Sequence, residues 1–111
     1  MDDLTLCRLQ ELVDDWIKTK GVRYFSELTN LGILMEEVGE LSRVLTRTYG
    51  DQSFKDGERA DSLSEEIADV LFVLVCLANQ TGVDLQKATE EGFLKRNTRD
   101  GNRHRNNPKL K

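Results

Sequence analysis

Residues 67–78, IADVLFVLVCLA, are apolar at every position but one, and this run limits what the chain can become. In an α-helix each residue turns about 100°, so Ile67, Val70, Leu71, Val73, Leu74, Val75, Cys76 and Leu77 surround the axis and leave no polar face. Such a helix belongs in the middle of a bundle. The run is too short to cross a bilayer, which needs roughly 17–25 apolar residues. Its one exception is Asp69. A carboxylate buried there is expected to lose hydration, which is costly if it stays charged and unpaired. Glu66 lies one turn earlier on the same side, so no salt bridge within this helix relieves Asp69. Two acids at i and i+3 repel each other unless a cation sits between them.

A second acidic set stands upstream in MEEVGEL, where Glu37 and Glu40 are again three apart, about 60° around a helix. The apolar stripe of that segment reads Leu31, Leu34, Met35, Val38, Leu41 and Leu45, with Glu37 along its edge and Glu40 a little further round. Glu36 lies on the outer side of Glu40. Two antiparallel helices, each offering such a pair toward the other, make a nest of four acids: Glu37, Glu40, Glu66 and Asp69. An oxygen-only, hard, anionic nest suits Mg²⁺, or alternatively Mn²⁺.

The remainder of the chain supplies the scaffold. Residues 4–18 carry Leu9, Leu12, Val13, Trp16 and Ile17 at amphipathic helical spacing, with Gly21 closing the segment. Ser26 is the expected N-cap of a second helix that Gly50 ends after Tyr49. Residues 51–61 are polar and turn-rich. They are not a calcium loop, because Lys55 stands where a ligand is needed and Asp56 where glycine is needed. Ser62 with Glu65 predicts a capping box for the third helix, and Asp84 the cap of a fourth, from Leu85 to about Thr98. The fold expected is all-α and four-helix bundle-like, packed as a homo-oligomer, at least a homodimer, because a chain of 111 residues cannot cover helices this apolar. Residues 1–99 are read as one domain, and 100–111 as a basic tail that frays or stays disordered.

Hydrophobic residues at 38% and charged residues at 32% place the chain among soluble globular proteins. The acidic balance of −4 argues against general nucleic-acid binding, and no membrane association is expected. The acidic start MDDLTL lacks a signal-peptide core, and Cys76 falls in the apolar run, so free thiols in a cytoplasmic protein are expected. The single histidine, His104, excludes a di-iron bundle, which needs a Glu-x-x-His on each of two helices.

Taken together, Glu36-Glu37-x-x-Glu40 and Glu66-x-x-Asp69 resemble the signature of the MazG-like all-α nucleoside triphosphate pyrophosphohydrolases, in particular the small single-domain bacterial members of the YpjD type. The likeness extends from YFS at 24–26 to LKRNTRD at 94–100. An isolated ExxE is common on amphipathic helices; both pairs in this order, the second inside an apolar helix and a basic helix following, are more specific. The resemblance implies hydrolysis of a nucleoside triphosphate between its α and β phosphates, for housecleaning or for trimming a normal pool. It implies Glu37, Glu40, Glu66 and Asp69 as Mg²⁺ ligands and Glu36 and Glu37 as catalytic residues, with Glu36 either orienting or deprotonating the attacking water or joining a further metal. It also implies a cationic grip on the phosphates by Lys95 and Arg99, with Asn97 near by. Arg96 stands where many relatives carry an aromatic or apolar residue.

Each feature has a plainer reading. Asp69 fits a structural ion pair with Lys95 or Arg99 as well as a metal site, and those cations also suit the positive-favouring end of a helix. Trp16 and Phe25 are candidates for substrate binding by base stacking, although core or interface packing is the commoner role of such residues. The alternative function is a catalytically inactive helical interaction module with a basic tail.

Overall fold

In the computed structural model residues 3–58 and 63–111 are described, and every regular element among them is helical. Helix α1, Leu6–Trp16, starts where the Thr5 hydroxyl accepts the Arg8 amide, and its last turn widens over Ile17–Gly21. Val22 then turns the chain sharply, with φ 77° and ψ −59°. Helix α2, Glu27–Tyr49, is capped by Ser26, whose hydroxyl accepts the Thr29 amide, and ends at Gly50. Helix α3 is Leu63–Thr81. The capping box expected at Ser62 lies outside the described residues. Gly82 takes a left-handed φ of 74°, and Asp84 caps α4, Leu85–Lys95, by accepting the Lys87 amide.

Helix α3 is central, with α1 packed on one side and α2 along the other. Val13 and Ile17 of α1 close over Val75 and Cys76 of α3, joined by Leu9, Tyr24 and Leu85. On α2 the buried residues are Asn30 and Val44, not the leucine stripe read from the sequence. Asn30, Glu37 and Val44 recur every seven residues, the spacing that keeps one seam of a helix against its neighbour. Leu31, Met35, Val38 and Leu45 lie outside that seam and are exposed.

Two expectations are corrected. Asp69 is exposed rather than buried, because it lies on an open stretch of α3 where Ile67, Leu71 and Leu74 are exposed as well. The fourth helix leaves α3 at a bend of 104° and packs mainly on α1. Residues 100–111 are not structureless, since a wider turn over Arg96–Asp100 leads into α5, Gly101–Arg105, and a single tight turn at Pro108–Leu110. Asp100 helps to hold this continuation through Arg103 at 3.1 Å.

The radius of gyration is 17.7 Å, against about 13 Å for a compact chain of this length. The chain is therefore more extended than a compact one, and it leaves apolar side chains of α2, α3 and α4 exposed. Among the described residues no single helix is long and apolar enough to cross a membrane.

Gln10 clamps α1 to the α3–α4 corner. Its amide nitrogen donates to Asn79 Oδ1 and to the Val83 carbonyl, each at 2.9 Å, and its oxygen accepts the Leu85 amide at 2.8 Å. Gln10→Ala leaves these partly buried groups unpaired. It is expected to lower the unfolding free energy by about 1–3 kcal/mol in urea titration; an unchanged midpoint would show that the clamp contributes nothing.

Candidate functional site

Midway along the α2–α3 seam, Glu37 faces Glu66 and Asp69, and one carboxylate oxygen of each lies within 4.8 Å of the others. The seven-residue seam turns Glu37 toward α3, and the i, i+3 spacing of Glu66 and Asp69 puts both on the α3 side that meets it. Glu37 and Glu66 are half-buried. Burial, and then the charges of Asp69, Glu66, Glu40 and Glu36, push the Glu37 carboxyl above its ordinary range. Glu40, expected to be a fourth ligand, is exposed and lies outside the three convergent carboxylates, as does Glu36.

No lysine or arginine pairs with the three acids among the described residues. The proposed structural pair of Asp69 with Lys95 or Arg99 is not formed; Arg99 lies 3.4 Å from Asp100 instead. Three converging carboxylates without a protein cation are the donor set of a hard divalent ion, so the residues fit Mg²⁺ or Mn²⁺.

A cavity of about 410 Å³ opens beside the acids, with Glu37 and Asp69 in its wall. Trp16, Phe25 and Phe72 make it aromatic. Trp16 and Phe72 meet edge to face, centroids 5.9 Å apart at 88°. Neither Trp16 nor Phe25 is a core residue, since both are about half exposed. Tyr24 closes another side of the cavity, fixed from behind: its hydroxyl donates to Asp14 at 2.6 Å and accepts from Asn79 at 3.1 Å. Burial and the Asp14 carboxylate push the Tyr24 phenol up to about 12, so it stays protonated. Asp14 is held below its ordinary range by the hydrogen bonds of Lys18 and Tyr24.

The structure does not bring Lys95, Asn97 and Arg99 to this cavity. They lie exposed on α4 and the turn after it, and Asn97 lines a separate hollow with Phe93 and His104. Several cavity residues were not read as site residues from the sequence, Arg23 and Asn30 among them. Arg23, whose guanidinium donates to the Tyr24 carbonyl at 2.8 Å, carried no signal. Asn30 had one, its seven-residue spacing from Glu37.

Residues 25–104 match the MazG nucleotide pyrophosphohydrolase domain. The chain belongs to the MazG family. It is 44% identical to YpjD of Bacillus subtilis over 103 residues, 93% of each chain. YvdC of the same organism is 28% identical over 103 residues, 84% of this chain and 96% of YvdC. The crystal structure of YpjD superposes with a TM-score of 0.75 at 42% identity, covering 86% of this chain and 97% of that one. That of the Bacillus-conserved MazG protein, a nucleotide pyrophosphohydrolase, superposes with a TM-score of 0.73 at 38% identity, over 90% and 97%. As a MazG-family member the protein is a hydrolase of the nucleotide pyrophosphohydrolase class.

If the acids interact as described, Asp69→Asn removes the strongest charge acting on Glu37. The Glu37 pKa should then fall toward its ordinary value in a carboxyl ¹³C titration by NMR, recorded without divalent ions. A Glu37 titration curve that does not move would mean that the two groups are not neighbours in solution.

Proposed function

We propose that the protein hydrolyses a nucleoside or deoxynucleoside triphosphate between the α and β phosphates, with Mg²⁺, releasing a monophosphate and intact pyrophosphate. The observation that carries this reading is the convergence of Glu37, Glu66 and Asp69 at the edge of an aromatic-walled cavity. A nucleotide has the matching halves, an anionic phosphate chain and a flat ring.

Glu37, Glu66 and Asp69 hold the metal ion, and Glu40 joins them by a rotation of its exposed side chain. The ion, when bound, neutralises phosphate charge and acidifies the attacking water. Glu36 and Glu37 act on the water's proton from α2. Trp16 and Phe25 supply ring faces for the base, and the cavity excludes solvent from that end of the substrate. Lys95, Asn97 and Arg99 grip the distal phosphates in an assembly of copies, because within one chain α4 points away from the acids. The exposed apolar residues Phe93 and Leu94 on α4, and Leu31, Met35 and Val38 on α2, support such an assembly.

Metal binding is expected to raise the melting temperature at millimolar Mg²⁺ or Mn²⁺, since the ion binds only the folded cluster. Asp69→Asn should abolish pyrophosphate release and the metal-dependent stabilisation while keeping or raising metal-free stability, because it removes one of three repelling charges. Absence of both metal stabilisation and turnover across a nucleotide panel would return the chain to the alternative of an interaction module.

Light scattering should give a dimer or tetramer at micromolar concentration. Lys95→Ala and Arg99→Ala should each lower kcat/KM for triphosphates by about 30- to 1000-fold if their contacts strengthen in the transition state. Mixing Lys95→Ala with Asp69→Asn subunits should restore activity, since sites that draw their acids and their cations from different copies become whole. No restoration in a mixed oligomer would place the cations elsewhere.

A further inference from the structure

The cavity beside the acids has a cation of its own. Among the described residues in its wall Arg23 is the only lysine, arginine or histidine, and it shares that wall with Glu37 and Asp69. No carboxylate pairs with it among the described residues. One N–H on Nη1 donates to the Tyr24 carbonyl at 2.8 Å, which leaves most of the guanidinium fork unused. The backbone holds Arg23 close to the aromatic wall. Gly21 and Arg23 flank Val22, whose φ of 77° turns the chain out of α1. The chain passes so near that a Cβ on Gly21 would come within 3.3 Å of the Trp16 ring.

An exposed arginine is ordinarily a solvated surface group. Charge sets Arg23 apart. Three carboxylates holding one divalent ion leave a negative centre, and a nucleoside triphosphate adds more negative charge than the ion can neutralise. The two meet beside a mostly apolar cavity, where unbalanced charge is costly. Lys95 and Arg99 do not line this cavity, so Arg23 is the cation that the chain itself supplies there. Connectivity says which phosphate it meets. With the ring in the aromatic cavity and the metal at Glu37, Glu66 and Asp69 on its edge, the phosphate bonded to the sugar is the one that lies nearest the cavity wall.

We propose that Arg23 binds the α-phosphate of the nucleotide, the group common to the triphosphate and its monophosphate product. The inference rests on the triphosphate reading given above and deepens it. Lys95 and Arg99 of another copy take the distal phosphates, and Arg23 takes the proximal one within the chain.

The test uses the full chain with Mg²⁺, a panel of deoxynucleoside triphosphates as substrates, and the matching monophosphates and free pyrophosphate as inhibitors. Arg23→Gln should lower kcat/KM by about 10- to 100-fold, the loss of one charge-assisted contact, and mostly through KM. The factor should be the same for every base that the wild type uses. Inhibition by the monophosphate should weaken by a similar factor, while inhibition by pyrophosphate should not change. Arg23→Lys, which keeps the charge but not the fork, should recover part of the loss. The rise in melting temperature with Mg²⁺ should be as large in both variants as in the wild type, which a merely structural fault near the acids would not allow. A loss that varies with the base would make Arg23 a reader of the ring and overturn the proposal. Unchanged kinetics, or a loss confined to pyrophosphate binding, would overturn it as well. Each of those results leaves the pyrophosphohydrolase intact, because the wild type still turns over. Failure of every triphosphate to bind or turn over in the wild type overturns both.

Discussion

The seam between α2 and α3 is the constraint on which the rest depends. It does two opposed things at once. Away from the acids, α2 lies along the apolar central stretch of α3, with Val44 buried and Ile33, Leu34 and Leu41 partly buried. Between them, Glu37 is forced up against Glu66 and Asp69, where like charges push the helices apart. Hydrophobic burial is non-directional and acts over the whole seam, whereas the repulsion is confined to one turn of each helix. The longer interaction wins, and the acids remain concentrated with no lysine or arginine paired to them among the described residues. An acidic cluster of this kind is a local electrostatic fault supported by packing on either side.

Much of the architecture was legible because its signals are local. Ser26, Gly50 and Asp84 mark helix ends through their own side chains or backbone freedom, and the structure has those ends. The acids on α3 were legible because a charge in an apolar run is conspicuous. What misled was the inference from pattern to burial. An all-round apolar helix needs covering, but nothing in its sequence says that its own chain supplies the cover. Asp69 was therefore placed in a core that one protomer does not build. Asn30 was overlooked for the opposite reason: leucines drew attention to a face of α2 that the protomer leaves exposed, while the true seam contains an amide and a carboxylate.

The direction of α4 was not readable either. The corner between α3 and α4 is only a few residues long, and its angle is set by Gly82, the Asp84 cap and the Gln10 clamp, whose partners are more than sixty residues apart in sequence. Pairings at that separation leave no periodic trace. Within the chain the acids and the aromatic cavity therefore lie together, while Lys95, Asn97 and Arg99 lie apart from them.

Val22 stands at the corner between the end of α1 and the cavity wall, in a backbone conformation that β-branched residues rarely adopt. Glycine meets such a turn at no steric cost, so valine there stores strain. The corner is flanked by Gly21 and Arg23, which both line the cavity. The segment beyond it is held from outside the corner, by the Tyr24 hydroxyl on Asp14 and Asn79 and by the Gln80 amide on the Phe25 carbonyl. The cavity rim therefore keeps a backbone shape that its own residues would not choose, because its side-chain and carbonyl partners on α1 and α3 dictate it.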